Sequence, residues 1–200
     1  ESYQEDRDSV VQRAIDAGVT RIIIPAIDAQ TSAEALTLAD VYKGVYATVG
    51  IHPNDTADFA TARIDALRKL ATHPKVVAVG EIGLDYYWDK SPKHKQREAF
   101  EAQLALAAEL NLPVIIHDRD AHDDVITILE SWVAALPPTH ARIGVLHSCS
   151  APLAITERAL AMGFYLGFTG PLTFKKAEEL RAVAAATPLD RLLVETDGPF

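Results

Sequence analysis

The chain has 200 residues, 48% of them apolar, enough to bury one substantial core, and residues 1–200 are expected to form a single domain. A net charge of −9 argues against a broad basic surface for gripping nucleic acid. It leaves phosphate-containing substrates open, because divalent cations in a cleft dominate the local field. No run approaches the roughly 18 uninterrupted apolar residues of a membrane-spanning helix, so no membrane contact is expected.

The opening Glu1-Ser2-Tyr3-Gln4-Glu5-Asp6 is acidic and lacks the basic and apolar blocks of a secretory signal. The chain does not begin with Met and is expected to be a fragment, shortened at both ends. A lone cysteine, Cys149, cannot form an internal disulfide, which fits a reducing cytoplasm.

Along the chain, helical and strand patterns alternate. Val10, Val11, Ala14 and Ile15 form a helical stripe that Gly18 ends, and residues 19–25 follow as a strand. Thr31 with Glu34 resembles a capping box that opens the next helix. Residues 45–51 read as a strand, Ile64, Leu67 and Leu70 mark a helix, and residues 76–81 are the next strand. Ser91-Pro92 is a good N-cap and first-turn pair for a helix that carries Phe100, Leu104 and Ala107 on one face. Strands over 114–117, 143–147, 164–168 and 192–196 then alternate with helices over 121–135, 152–162 and 173–186.

Short β-branched runs bounded by Gly or Pro predict strands buried on both faces of a parallel sheet. Strict alternation leaves an open doubly wound sheet or a closed TIM-type (β/α)8 barrel. No Gly-rich phosphate loop follows an early strand, and ligand-type residues close strands spread along the chain. The barrel is therefore the better expectation. Seven strands in 200 residues fall short of the usual eight in about 250, so one strand is expected to be missing.

Four apolar runs end in a metal-binding side chain: Glu81, His117, His147 and, after Glu195-Thr196, Asp197. Parallel strands bring these ends together, and two imidazoles with two carboxylates make a cage for one or two divalent cations. Mg²⁺ and Mn²⁺ suit the carboxylates, Zn²⁺ the histidines. Asp197, at the last strand, is also placed to take a proton from activated water. His52, in Gly50-Ile51-His52-Pro53, is a substrate contact or a packed histidine, and Arg119 is a candidate for gripping phosphate oxygens. Lys175-Lys176 suits an ordinary helix start, His73, His94, His122 and His140 fall outside the site, and Cys149 has no base arranged beside it.

Several blocks resemble one family: Gly50-Ile51-His52-Pro53, Gly80-Glu81-Ile82-Gly83-Leu84-Asp85-Tyr86-Tyr87, Pro113-Val114-Ile115-Ile116-His117, Gly167-Phe168-Thr169-Gly170 and Glu195-Thr196-Asp197. Together they are similar to the TatD family of metal-dependent deoxyribonucleases. The resemblance implies an amidohydrolase-like barrel with Glu81, His117, His147 and Asp197 as metal ligands. It also implies hydrolysis of phosphodiester bonds in DNA, single-stranded or at 3′ ends, by an exonuclease. The family's first strand normally carries a His-x-His pair that this sequence lacks, and Ser148-Cys149-Ser150-Ala151 stands where Cys-Phe-Ser-Gly is frequent. Gly198 follows Asp197 where Ala is common. The same cage would also serve hydrolysis of small esters, lactones or amides, or of D-aminoacyl-tRNA, and a barrel that binds metal without turnover is the non-enzymatic alternative. No obligate protein partner is inferred.

Overall fold

The computed structural model describes residues 3, 5–88 and 90–198. Each apolar strand pairs in parallel with the one before it, since every intervening helix carries the chain back to the same end of the sheet. In chain order the elements are α1 (Arg7–Asp16), β1 (Ile22–Ile24), α2 (Ala29–Val41), β2 (Val45–Val49), α3 (Ala62–Leu70), β3 (Val76–Asp85) and α4 (Lys93–Leu110). Then come β4 (Val114–Arg119), α5 (His122–Ala135), β5 (Gly144–Leu146), α6 (Leu153–Ala161), β6 (Tyr165–Phe168), α7 (Glu178–Ala186) and β7 (Leu192–Val194). The seven strands lie side by side in sequence order, all parallel, as a curled sheet of the barrel type. Among the described residues β1 and β7 are its edges, so the strands form an arc, as expected of a barrel short of one strand.

The core sits between sheet and helices. Val49, Val79, Ile82, Leu84 and Ile116 of the central strands are fully buried, as are Phe100 of α4 and Leu129 of α5. Burying one such side chain contributes about 1.5–3 kcal/mol. At the edge the pattern fails: α1 buries none of its residues, and Ile15 is 53% exposed. Its apolar stripe finds no buried packing, and the Tyr42 hydroxyl reaches the helix by donating to Asp8.

Some boundaries differ from the sequence expectation. Helix α2 starts a turn early, because the Asp28 side chain accepts from Thr31 N at 2.7 Å while Thr31 Oγ1 accepts from Asp28 N at 2.9 Å. That reciprocal box uses Thr31 as its third helical residue, and Glu34 instead accepts from Gln30 Nε2. Ser91 caps nothing in α4; its Oγ accepts from Thr56 N at 3.1 Å. Pro171 favours a short 3-10 turn over Gly170–Thr173, which delays α7 to Glu178. The largest change is β3, which runs ten residues, past Glu81 to Asp85, because β4 continues to pair with it: Gly83 opposite His117 and Asp85 opposite Arg119.

Candidate metal centre

The C-terminal halves of β3 and β4 build the first part of the site. Between Val79↔Val114 and Ile82↔Ile116 the β3 strand carries one extra residue, a bulge that re-aims Glu81. The Gly80–Glu81 peptide is cis, the Thr48 hydroxyl donates to Gly80 O, and Glu81 N donates to Ala26 O at 2.9 Å. Beyond the bulge, Glu81, Gly83 and Asp85 share one strand face, and register puts His117 on that same face. The approach of β4 there requires glycine: a Cβ at Gly83 would lie 1.9 Å from His117 O, and its φ is +145°.

His117 now meets two carboxylates. Its Nδ1 lies 2.8 Å from Glu81 Oε1 and its Nε2 lies 2.9 Å from Asp85 Oδ2. Asp85 is fully buried, and its Oδ1 also accepts from Tyr87 N and Trp88 N at 3.0 Å each. Gln96 brackets the Asp85 backbone, accepting from its N–H at 2.8 Å and donating to its carbonyl at 2.9 Å. A neutral imidazole has one N–H. With that proton donated to the immobile Asp85, the Nδ1 lone pair faces a carboxylate oxygen across 2.8 Å. Two electron-rich atoms at that spacing need a cation between them, a proton or a metal ion.

Burial works against charge on His117, but Glu81 and Asp85 prevail and raise its pKa. Burial likewise opposes ionisation of Glu81, and the neighbouring His117, His52 and His147 outweigh it, holding the carboxyl below its usual value.

His52 completes this part from the end of β2. His52 Nε2 is 3.2 Å from His117 Nδ1 and 4.0 Å from Glu81 Oε1, and one ligand atom from each of the three residues lies within 4.8 Å of the others. Burial, with His117 beside it, lowers the His52 pKa to about 4, so the ring is neutral. Asn54 N donates to its Nδ1 at 3.1 Å, which leaves the single ring proton on Nε2. His52 thus points its N–H toward His117 Nδ1.

The second part gathers where β5, β6 and β7 end. His147 follows β5, and its N donates to Ile116 O at 2.9 Å. His147 Nδ1 lies 2.8 Å from Glu195 Oε1, while Nε2 faces Asp197 Oδ1 at 3.6 Å. Glu195 Oε1 also accepts from Ser148 N at 2.7 Å. Gly167 leaves the room for this, since a Cβ there would stand 2.0 Å from Glu195 Oε1. Burial disfavours charge on His147, yet Glu195, Glu81 and Asp197 together raise its pKa to about 9.

Of the residues expected from sequence, Glu81, His117 and His52 fall into one tight group, and His147 with Asp197 forms a neighbouring pair. Arg119 ends β4 with its guanidinium over the Tyr87 ring, 4.6 Å from the centroid, rather than in the cluster. Cys149 is buried, and that burial pushes its thiol up to about 11, far from a nucleophile's range. Two functional candidates were missed, Asp85 and Glu195, the carboxylates that hold the imidazoles. Their signal is even spacing: Asp85 is four residues past Glu81, and Glu195 two before Asp197, so each shares a strand face with a ligand candidate.

A parallel βα sheet with imidazoles and carboxylates at its C-terminal rim defines the class of barrel-type metal hydrolases. Known proteins carry the assignment further. The family model described as TatD related DNase matches residues 1–200. An uncharacterized metal-dependent hydrolase, YabD, of Bacillus subtilis is 43% identical over 200 residues, which are 100% of this chain and 76% of that protein. The 3'-5' ssDNA/RNA exonuclease TatD of Shigella flexneri is 40% identical over 199 residues, 99% of this chain and 75% of that one. The crystal structure of YjjV, a TatD homolog from Escherichia coli K12, superposes with a TM-score of 0.89 at 36% identity, covering 98% of this chain and 74% of the other. The chain belongs to the TatD related DNase family.

Proposed function

We propose that the chain is a divalent-metal-dependent hydrolase of phosphodiester bonds that trims single-stranded DNA from the 3′ end, with residues 1–200 working as one domain. The observation that carries this is the His117 ring set between two carboxylates, Glu81 Oε1 2.8 Å from Nδ1 and Asp85 Oδ2 2.9 Å from Nε2. The exonuclease activity named for the Shigella flexneri relative supports the substrate. Glu81 and His117 would hold one cation; His147 and Asp197 would hold a second. A divalent cation supplies Lewis acidity toward the phosphoryl oxygen and brings the pKa of the attacking water toward neutrality.

The chain's own groups do the rest. Asp85 and Glu195 fix the ring orientations by accepting one N–H each. His52 donates its Nε2 proton to a non-bridging phosphate oxygen. Asp197 orients the attacking water and accepts its proton. We assign the protein to the cytoplasm, which its single buried cysteine supports; none of the helices described is long and apolar enough to cross a membrane.

The test is incubation with 5′-end-labelled single-stranded DNA and Mg²⁺ or Mn²⁺. A ladder shortening from the 3′ end is expected, and Glu81→Ala abolishes it. Intact DNA beside cleavage of small esters or amides overturns the nucleic-acid assignment. Turnover retained in Glu81→Ala overturns the site.

A further inference from the structure

Immediately beyond Asp85 the chain turns outward through Tyr86, Tyr87 and Trp88. The turn is pinned to the carboxylate that orients His117, because Asp85 Oδ1 accepts both Tyr87 N and Trp88 N at 3.0 Å. Yet Tyr87 and Trp88 are 53% and 54% exposed, their rings meeting edge to face at 4.8 Å. Two large aromatic rings thus stand in solvent on a turn whose backbone is fixed beside the candidate site, and they offer flat apolar faces to a ligand.

Cations surround them. The Arg119 guanidinium lies 4.6 Å from the Tyr87 ring centre, Lys90 Nζ 5.8 Å from that of Trp88, and Lys93 Nζ 3.9 Å from that of Tyr86. Residues 86–97 contain four of the 19 Lys and Arg residues against one carboxylate, Asp89, within a chain of net charge −9. Aromatic faces interleaved with cations are the chemistry that binds a single strand, in which bases stack on rings and phosphates follow the charges.

We propose that Tyr87 and Trp88 form a stacking platform for a base of single-stranded nucleic acid, with Arg119 and Lys90 on the flanking phosphates. The proposal rests on the phosphodiesterase assignment and adds where the strand lies: over the β3 exit, its neighbouring phosphate directed at Glu81 and His117. Base stacking also supplies a physical reason for preferring single strands, because paired bases present no free face.

Binding in EDTA, where no cleavage occurs, separates the platform from the chemistry. The full chain is titrated with a short oligo(dT) and with a deoxyribose-phosphate oligomer of equal length that lacks bases. Tryptophan emission reports on Trp88, since the other tryptophan, Trp132, is buried and donates its indole N–H to Leu104 O. Oligo(dT) is expected to quench that emission. The double variant Tyr87→Ala/Trp88→Ala should bind it roughly 5- to 150-fold more weakly, and the abasic oligomer should bind wild type as weakly. Trp88→Phe keeps the affinity and loses the quench. Equal affinity of wild type for the two oligomers overturns the platform, as does unchanged affinity in the double variant. A chain that shortens DNA yet ignores the bases refutes the platform alone. One that stacks oligo(dT) but cleaves no nucleic acid supports the platform and refutes the phosphodiesterase assignment.

Discussion

His117 and His147 each lie between two carboxylates, one that fixes the ring and one that faces its free nitrogen: Asp85 and Glu81 for the first, Glu195 and Asp197 for the second. They differ in rigidity. Asp85 is immobilised by two backbone N–H groups and bracketed by Gln96, and the ligand-side spacing is 2.8 Å. On the other side the Asp197 side chain is 56% exposed and stands 3.6 Å from its imidazole. A preorganised pair binds without paying for rearrangement, whereas a looser pair can adjust as charge moves. The first half is thus suited to a resident ion, the second to a more weakly held one and to the proton taken from water.

Single alanines test the asymmetry most severely. His117→Ala should lose the tight ion altogether and lower turnover by at least about 10³-fold. His147→Ala should retain one ion, counted by calorimetric titration with Mn²⁺. Equal loss of stoichiometry in both variants would show that the halves make one indivisible site.

Asp85→Asn touches neither ion directly. It should weaken the tight site by roughly 10- to 100-fold, because the amide no longer fixes the ring as a charged acceptor does. An unchanged Mn²⁺ affinity would remove Asp85 from the mechanism.

Protonation should oppose metal at both halves, because carboxylates raise the pKa of His117 as well as that of His147. His147, raised to about 9, carries a proton at neutral pH that a metal must displace, so affinity at its half falls about tenfold for each pH unit below 9. His52, lowered to about 4, stays neutral throughout that range. The sign for stability follows from the raised value. In metal-free protein the His147 contribution is complete below its ordinary 6.5 and disappears as pH rises through about 9. The melting temperature of metal-free protein should fall across that window, and saturating Zn²⁺ should flatten the fall.

The smallest effect belongs to Gly167→Ala. A new Cβ would displace the Glu195 carboxylate, the flexible end of a side chain, so stability should stay within about 1 kcal/mol of wild type. The pH inflection near 9 should nevertheless move downward as His147 loses its partner.

Much of this is legible in the sequence. Short β-branched runs between amphipathic helices predict the seven parallel strands. The central ones are buried on both faces, while the edge strands β1 and β7 stay partly exposed against expectation, because no neighbour covers them among the described residues. Glu81, His117, His147 and Asp197 stood out as polar residues closing those runs. The blurred parts are those where a residue's partner lies far away in the chain. Ending β3 at Glu81 concealed Asp85, since the strand continues only because β4 pairs with it through Arg119. Glu195 looked like part of a strand until Ser148 N and His147 appeared beside it. Ser91 had every local mark of a helix cap, yet a backbone N–H from residue 56 claimed its hydroxyl.

Periodicity and residue chemistry, both local properties, were enough to determine the parallel βα class, the order of the strands and the candidate ligands near their ends. Only the tertiary structure decided which ends meet: the β3 bulge that turns Glu81 toward His117, the Asn54 N–H that leaves the His52 proton on Nε2, and the two carboxylates that fix the imidazoles. These depend on register and on hydrogen bonds between residues as far apart as His147 and Glu195, a scale on which local pattern carries no signal.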